Sequence, residues 1–167
     1  MKDTKTYPDY DDYLQPKGNV LVISCIDLRL TDNLLDFLHF DNLINRYDHL
    51  ALAGASLCGT YEKNKSKFNP DAIKSFPSIP QWEKMIEDHV KVAKVLHKVS
   101  DIYIVEHEDC GAYKNFLADG NPKNREKEID LHRKFADDLK KHIRSVHHHE
   151  LHIHKFILDL RGNVSML

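Results

Sequence analysis

Apolar residues follow one another along this chain in two rhythms, short unbroken runs and longer stretches with a period near 3.6. Residues 19–24, Asn-Val-Leu-Val-Ile-Ser, form a continuous run entered from Pro16-Lys17-Gly18, the pattern of a fully buried parallel strand. Cys25 stands at its C-terminal end. Leu30 to Phe40 then reads as a helix, with Thr31 or Asp32 as cap and Leu34, Leu35, Phe37 and Leu38 making a broad apolar face. His49 to Ala53 predicts a second strand, closed by the small residues Gly54-Ala55-Ser56 in a tight turn. Cys58 to Pro80 has little periodicity and reads as a long excursion, placed to cover a site or meet another subunit.

The second half repeats the alternation. Trp82, Met85, Ile86, His89, Val90, Ala93, Leu96 and Val99 recur at helical spacing, and Pro80 marks the helix start. Ile102 to Val105 make the next strand, from Asp101 to Glu106, with His107 following directly. Cys110-Gly111-Ala112 opens a further helix. After the polar break Asp119-Gly120-Asn121-Pro122, a long helix is predicted from Arg125 to His149, then a last strand from Lys155 to Leu160. Strand and helix in alternation predict an α/β fold, a mostly parallel central sheet flanked by helices with right-handed crossovers. In such sheets ligands bind beyond the C-terminal strand ends, where Cys25 and His107 both fall.

Composition narrows the class. A chain of 167 residues fits a single domain over 1–167, with 1–17 as an N-terminal arm. Hydrophobic residues at 41%, charged residues at 30% and a net charge of -2 point away from disorder and from a polyanion-binding surface, so no nucleic-acid partner is expected. Met1 to Gln15 is polar and carries Asp3, Asp9, Asp11 and Asp12, unlike a secretory leader, and no apolar run reaches membrane-spanning length. Cytoplasmic location is the expectation. Cys25, Cys58 and Cys110 cannot all pair within one chain, and in a reducing compartment such residues serve metals or catalysis more often than disulfides.

Two blocks carry the chemistry, Cys25-Ile26-Asp27-Leu28-Arg29 and His107-Glu108-Asp109-Cys110-Gly111. Zinc takes thiolate and imidazole ligands tetrahedrally, and a catalytic site leaves one position open. Cys25, His107 and Cys110 would fill three positions. Asp27 either occupies the fourth or hydrogen-bonds whatever does, and Arg29 is near enough to hold that carboxylate in an ion pair. If the strand continues through the first block, positions 25, 27 and 29 share one face. A thiol at a helix start is stabilised as thiolate, and Gly111 lets the backbone turn closely. Alone, each block has an ordinary explanation, a buried free cysteine beside an incidental histidine or a strand-end cysteine followed by a surface ion pair. Their occurrence together, each after a buried strand, is what singles them out.

These two blocks resemble the signatures CxDxR and HxxC-Gly of the β-class carbonic anhydrases, and the order of strands and helices is similar over nearly the whole chain. The resemblance implies a β-carbonic-anhydrase-like fold, zinc on Cys25, His107 and Cys110, and an Asp27–Arg29 dyad. It implies reversible hydration of carbon dioxide to bicarbonate by zinc-bound hydroxide, in a homodimer or higher homo-oligomer. Asp27 would either accept a hydrogen bond from the metal's water or close onto the metal in an inactive state. Alternatives are a catalytically weak or inactive zinc-binding protein of this type, and a hydrolase of a related linear molecule such as carbonyl sulfide or carbon disulfide. A redox pair of Cys25 and Cys110 is a further option. Two departures stand out: Leu50 to Ser56 replaces the family's Arg-Asn-Ala segment, and Glu106 stands where many members have Gly, either orienting His107 as an acceptor or facing solvent.

Other residues have plainer readings. His147-His148-His149 with His152 and His154 suits a solvated helix end followed by a strand of alternating exposure. Cys58 reads as a small buried thiol. His89 and His97 fall at the edge of the apolar helix face, and Lys63, Lys65 and Lys67 form a solvated positive run.

Overall fold

The computed structural model describes residues 4–147 and 150–167. Asp3 and the pair His148 and His149 lie outside these residues. Five strands form one sheet: β1 (Asn19–Ser24), β2 (Tyr47–Ala51), β3 (Val99–His107), β4 (His152–Leu158) and β5 (Val164–Met166). Their spatial order is β2-β1-β3-β4-β5, with every pairing parallel except the antiparallel β4–β5 edge. The helices are α1 (Thr31–Phe40), α2 (Tyr61–Asn64), α3 (Pro70–Ser75), α4 (Trp82–His97), α5 (Gly111–Phe116) and α6 (Arg125–His147). This is the α/β architecture that the alternation predicts.

The sheet separates two apolar layers, and β3 serves both. Ile102 and Ile104 point into one layer with Ile86, Val90, Phe135 and Leu139 of α4 and α6. Tyr103 and Val105 point into the other, against Leu34, Phe37 and Leu38 of α1 and Tyr13 of the N-terminal segment. Alternate side chains of a strand face opposite ways, so a strand covered on both sides must be apolar throughout. Burial of the apolar surface in these layers is the main stabilising term.

Several expectations are corrected. Residues 58–80 are not irregular: α2, α3 and three 3-10 turns seat Cys58, Tyr61, Phe68, Ala72 and Ile79 in the core. Short helices carry little periodic signal and are held by that packing rather than by propensity. The first helix has Leu30 at its N-cap, with no side-chain cap from Thr31 or Asp32. Strand β2 runs two residues earlier than expected, and β5 has no counterpart in the sequence pattern. β5 is only three residues long, is paired to β4 on one side, and receives Thr6 through the Val164 N–H. Leu96 is exposed rather than inward-facing. Lys63 is not merely solvated but pairs with the buried carboxylate of Asp138 at 2.6 Å.

Candidate metal centre

Cys25 and His107 occupy adjacent strand ends, because Ser24 of β1 is in register with Val105 of β3. Cys110 lies just beyond, at the N-cap of α5. The three ligand atoms all fall within 4.8 Å of one another, and the two sulfurs are 4.0 Å apart. Two zinc–sulfur bonds of about 2.3 Å at a tetrahedral angle would put them about 3.8 Å apart. Nδ1 of His107 lies 2.9 Å from the Glu108 carbonyl, so it carries the proton and leaves the Nε2 lone pair unprotonated. That Nε2 is buried and has no hydrogen-bond partner. A buried nitrogen without a partner is costly unless something electropositive faces it. Donor chemistry, spacing and the orphaned Nε2 all fit a tetrahedral zinc ion.

A loop completes the sulfur environment. Gly54 donates its backbone N–H to Cys25 Sγ at 3.3 Å. Its φ of 75° and the closeness of Ala112, whose Cβ would lie 3.0 Å from a Cβ added there, explain why this position is glycine. Gly111 differs, since a Cβ there would meet nothing within 4 Å; the close turn expected at Gly111 is not what the fold needs. The Cys25 thiol is held down at about 4 by the hydrogen bond it accepts from Cys110, with His107 adding to the effect against burial. Cys110 is pushed up by the same bond and by burial. For His107, burial opposes the charged form, yet the contact with Cys25 prevails and its pKa is raised.

Asp27 and Arg29 meet for a different reason from the one strand pleating suggests. β1 ends at Ser24, and residues 27–30 form a turn in which the Leu30 N–H donates to the Asp27 carbonyl. The Asp27 carboxylate accepts from the Arg29 backbone N–H at 3.0 Å, from Nε at 2.9 Å and from Nη2 at 2.7 Å. These bonds from Arg29 hold the carboxyl at about 2. Its Oδ2 stands 3.8 Å from His107 Nε2 but does not join the three donors that lie within 4.8 Å of one another. Arg29 also reaches the second block, donating to Asp109 Oδ2 at 2.8 Å and to the Asp109 carbonyl at 3.0 Å.

Two residues in this region escape a motif reading. Asp109 adopts a left-handed φ of 59°, a conformation Asp tolerates better than most residues, and so turns its carboxylate toward Arg29 and Lys114. Glu106 neither orients His107 nor faces solvent. It is 1% exposed and bonds Ser56, Tyr113 and His132. The pocket above the donors measures about 300 Å³ and is walled by Leu30, Leu34 and Leu158, with Cys25, Asp27 and His107 at its polar end. Ser24 and His49 form a hydrogen bond of 2.7 Å in the same pocket, and burial lowers the His49 pKa.

The remaining candidates lie elsewhere. Cys58 is fully buried and its thiol is pushed up by burial. His97 pairs with Asp48, His89 bonds the Met85 carbonyl, and His154 pairs with Asp101. None of these joins the cluster. Among the described residues, no helix is long and apolar enough to cross a membrane.

No family model matches the chain. An uncharacterised protein of Rickettsia bellii is 28% identical over 151 residues, covering 90% of this chain and 82% of its own. Another, of Rickettsia conorii, is 26% identical over 151 residues, covering 90% and 73%. Among solved structures, the β-carbonic anhydrase CafA of Aspergillus fumigatus superposes with a TM-score of 0.54 at 14% identity, over 90% of this chain and 75% of that one. The β-carbonic anhydrase CcaA gives 0.52 at 14% identity, over 93% and 74%. A tetrameric β-carbonic anhydrase of Sordaria macrospora gives 0.50 at 13% identity, over 90% and 80%. At these identities the likeness is one of fold.

Proposed function

We propose that the chain is a zinc lyase that hydrates carbon dioxide reversibly, with Cys25, His107 and Cys110 holding the metal and Asp27 and Arg29 working beside it. The reading is carried above all by the convergence of the three donor atoms within 4.8 Å, one of them a buried imidazole nitrogen with no hydrogen-bond partner. Zinc in such a site supplies Lewis acidity, lowering the pKa of water from about 15.7 toward roughly 7 so that a nucleophile exists near neutral pH. Asp27 stays ionised throughout that range and acts as the acceptor that orients the attacking oxygen. Arg29 keeps that carboxylate aimed, gripping it by Nε and Nη2 while anchored on Asp109. Leu30, Leu34 and Leu158 give a nonpolar linear substrate an apolar wall and exclude competing water. Thiolates at Cys25 and Cys110 together offset the charge of a dication, which shifts the working range toward alkaline pH.

A second reading has its own observation. Asp27 Oδ2, 3.8 Å from His107 Nε2 though outside the group of three donors, has only to swing toward the metal to complete the coordination and leave the protein weak or inactive. Stopped-flow carbon dioxide hydration from pH 7 to 9 separates the two. Turnover that rises with pH and is lost in Asp27→Ala, with zinc retained, supports the lyase; zinc-loaded protein with no turnover at any pH supports the closed state.

The same reading includes a homodimer or larger assembly, supported by the tetrameric Sordaria neighbour and by Ile26 and Leu28, which are exposed beside the site. It also places the protein in the cytoplasm, where the thiols stay reduced, and treats 1–167 as one domain. Sedimentation equilibrium tests the assembly, with a monomer at micromolar concentration as the contrary result.

A further inference from the structure

We propose that Glu106 is a positioning residue that fixes both sulfur donors of the site through its hydrogen bonds in the layer they share, an inference that rests on the metal reading above. A carboxylate this deeply buried is expensive unless every lone pair is used. Glu106 Oε1 accepts from the Ser56 backbone N–H at 3.0 Å and from the Ser56 hydroxyl. Oε2 accepts from the Tyr113 hydroxyl at 3.1 Å and from His132 Nδ1 at 2.8 Å. The core itself asks for nothing polar here: two residues earlier on the same face of β3, Ile104 fills the equivalent position. An apolar residue packed there would cost the fold less than a buried charge.

What the four donors hold explains the charge. Ser56 follows by two residues Gly54, whose N–H is bonded to Cys25 Sγ. Tyr113 lies in the first turn of α5, which begins directly after Cys110. His132 stands fully buried on α6, its other nitrogen without a hydrogen bond, and shares that helix with Glu128 one turn earlier. Glu128 in turn accepts the Asp109 N–H at 2.6 Å, inside the block that bears His107 and Cys110. One carboxylate thus links the loop beneath Cys25, the helix that starts at Cys110 and the helix that holds Asp109. Groups bonded to metal ligands set donor orientation, and Glu106 acts one step further back, through Ser56 and Tyr113.

Cobalt(II) titration of the full chain tests this, since thiolate-to-cobalt charge-transfer and ligand-field bands report sulfur geometry directly. Glu106→Gln, nearly isosteric, is expected to shift those bands and weaken cobalt binding about 10–100-fold, with Ser56→Ala and Tyr113→Phe each producing part of the shift. Asp41→Asn is the control. Asp41 is an equally buried carboxylate bonded to Tyr13 and Tyr103 in the other layer, so its loss should lower Tm and leave the cobalt spectrum unchanged. A folded Glu106→Gln with wild-type bands and affinity overturns the proposal, as does an equal shift in Asp41→Asn. If Glu106→Gln does not fold, unaltered bands in both Ser56→Ala and Tyr113→Phe overturn it. Wild-type protein without any thiolate–cobalt band overturns the metal reading and this inference with it, a result seen before any substitution is made.

Discussion

The two blocks that make the site are built in opposite ways. His107 and Cys110 are 3% and 1% exposed, one at the end of a strand covered on both faces and the other at the start of a helix bonded into the core. Cys25 directly follows β1, and Asp27 and Arg29 lie in the turn beyond it, where Ile26 and Leu28 are 62% and 87% exposed. The buried half is fixed by packing; the open half is held by hydrogen bonds among charged groups. A metal bridging them would have its imidazole and one thiolate set rigidly and its remaining positions adjustable. Under the proposed function, that division suits a site whose fourth position exchanges between water, substrate and a carboxylate.

The largest effect should come from striking the buried half. Cys110→Ser is expected to take purified protein from about one zinc per chain to none, measured by elemental analysis, and to bring its Tm down to that of chelator-treated wild type. Retention of full metal content would show that the buried half is not the anchor. Next comes the open half at its reactive end: Asp27→Ala should keep the zinc and lower turnover about 100-fold or more, read by stopped-flow. Asp109→Asn tests the link between the halves. Asn accepts the left-handed φ of 59° but loses the ion pair with Arg29, so a fall in kcat of about 3–10-fold is expected, in line with roughly 1 kcal/mol for a half-exposed pair.

Acid should also separate the halves. Bonds from Arg29 hold Asp27 at about 2, below its ordinary 3.8, and Arg29 and Lys114 lower Asp109 in the same direction. Carboxyls depressed on folding add stability that is complete above the unfolded value and disappears as pH falls through the folded one. The Arg29 clasp should therefore hold at pH 4 and open toward pH 2, seen in metal-free protein as an Asp27 carboxyl titration by NMR with its midpoint near 2. A midpoint at 3.8 would mean the clasp is not formed. The smallest effect concerns reagents: in chelated protein an alkylating agent should label the partly exposed Cys25 and leave the fully buried Cys58 unmodified, checked by peptide mass mapping.

Much of the architecture was legible because burial on both faces leaves a clear trace. β1, β3 and the inward side of α4 are apolar runs or periodic stripes, and the two chemical blocks follow the strands directly. Most of what escaped depends on contacts distant in sequence, the Asp27–Arg29 turn and the Asp109 backbone being local exceptions. β5 takes its place from Asn163, which accepts the Thr6 N–H, and from pairing with β4. The Asp27–Arg29 contact comes from a turn rather than from the pleat of a strand. Glu106 draws its partners from residues 56, 113 and 132, so nothing local distinguishes it from a solvent-facing acid. Asp109 carries only the weak signal that Asp tolerates a left-handed backbone.

The sulfurs of Cys25 and Cys110 belong to residues 85 positions apart, and this separation bears on when the site forms. Bringing them together closes a long loop, whose entropic cost falls on the chain before any donor atom can repay it. Non-local parallel pairing is slow for the same reason. Metal capture should thus follow docking of β3 on β1 rather than guide it, and a chelator should speed unfolding while leaving the refolding rate nearly unchanged.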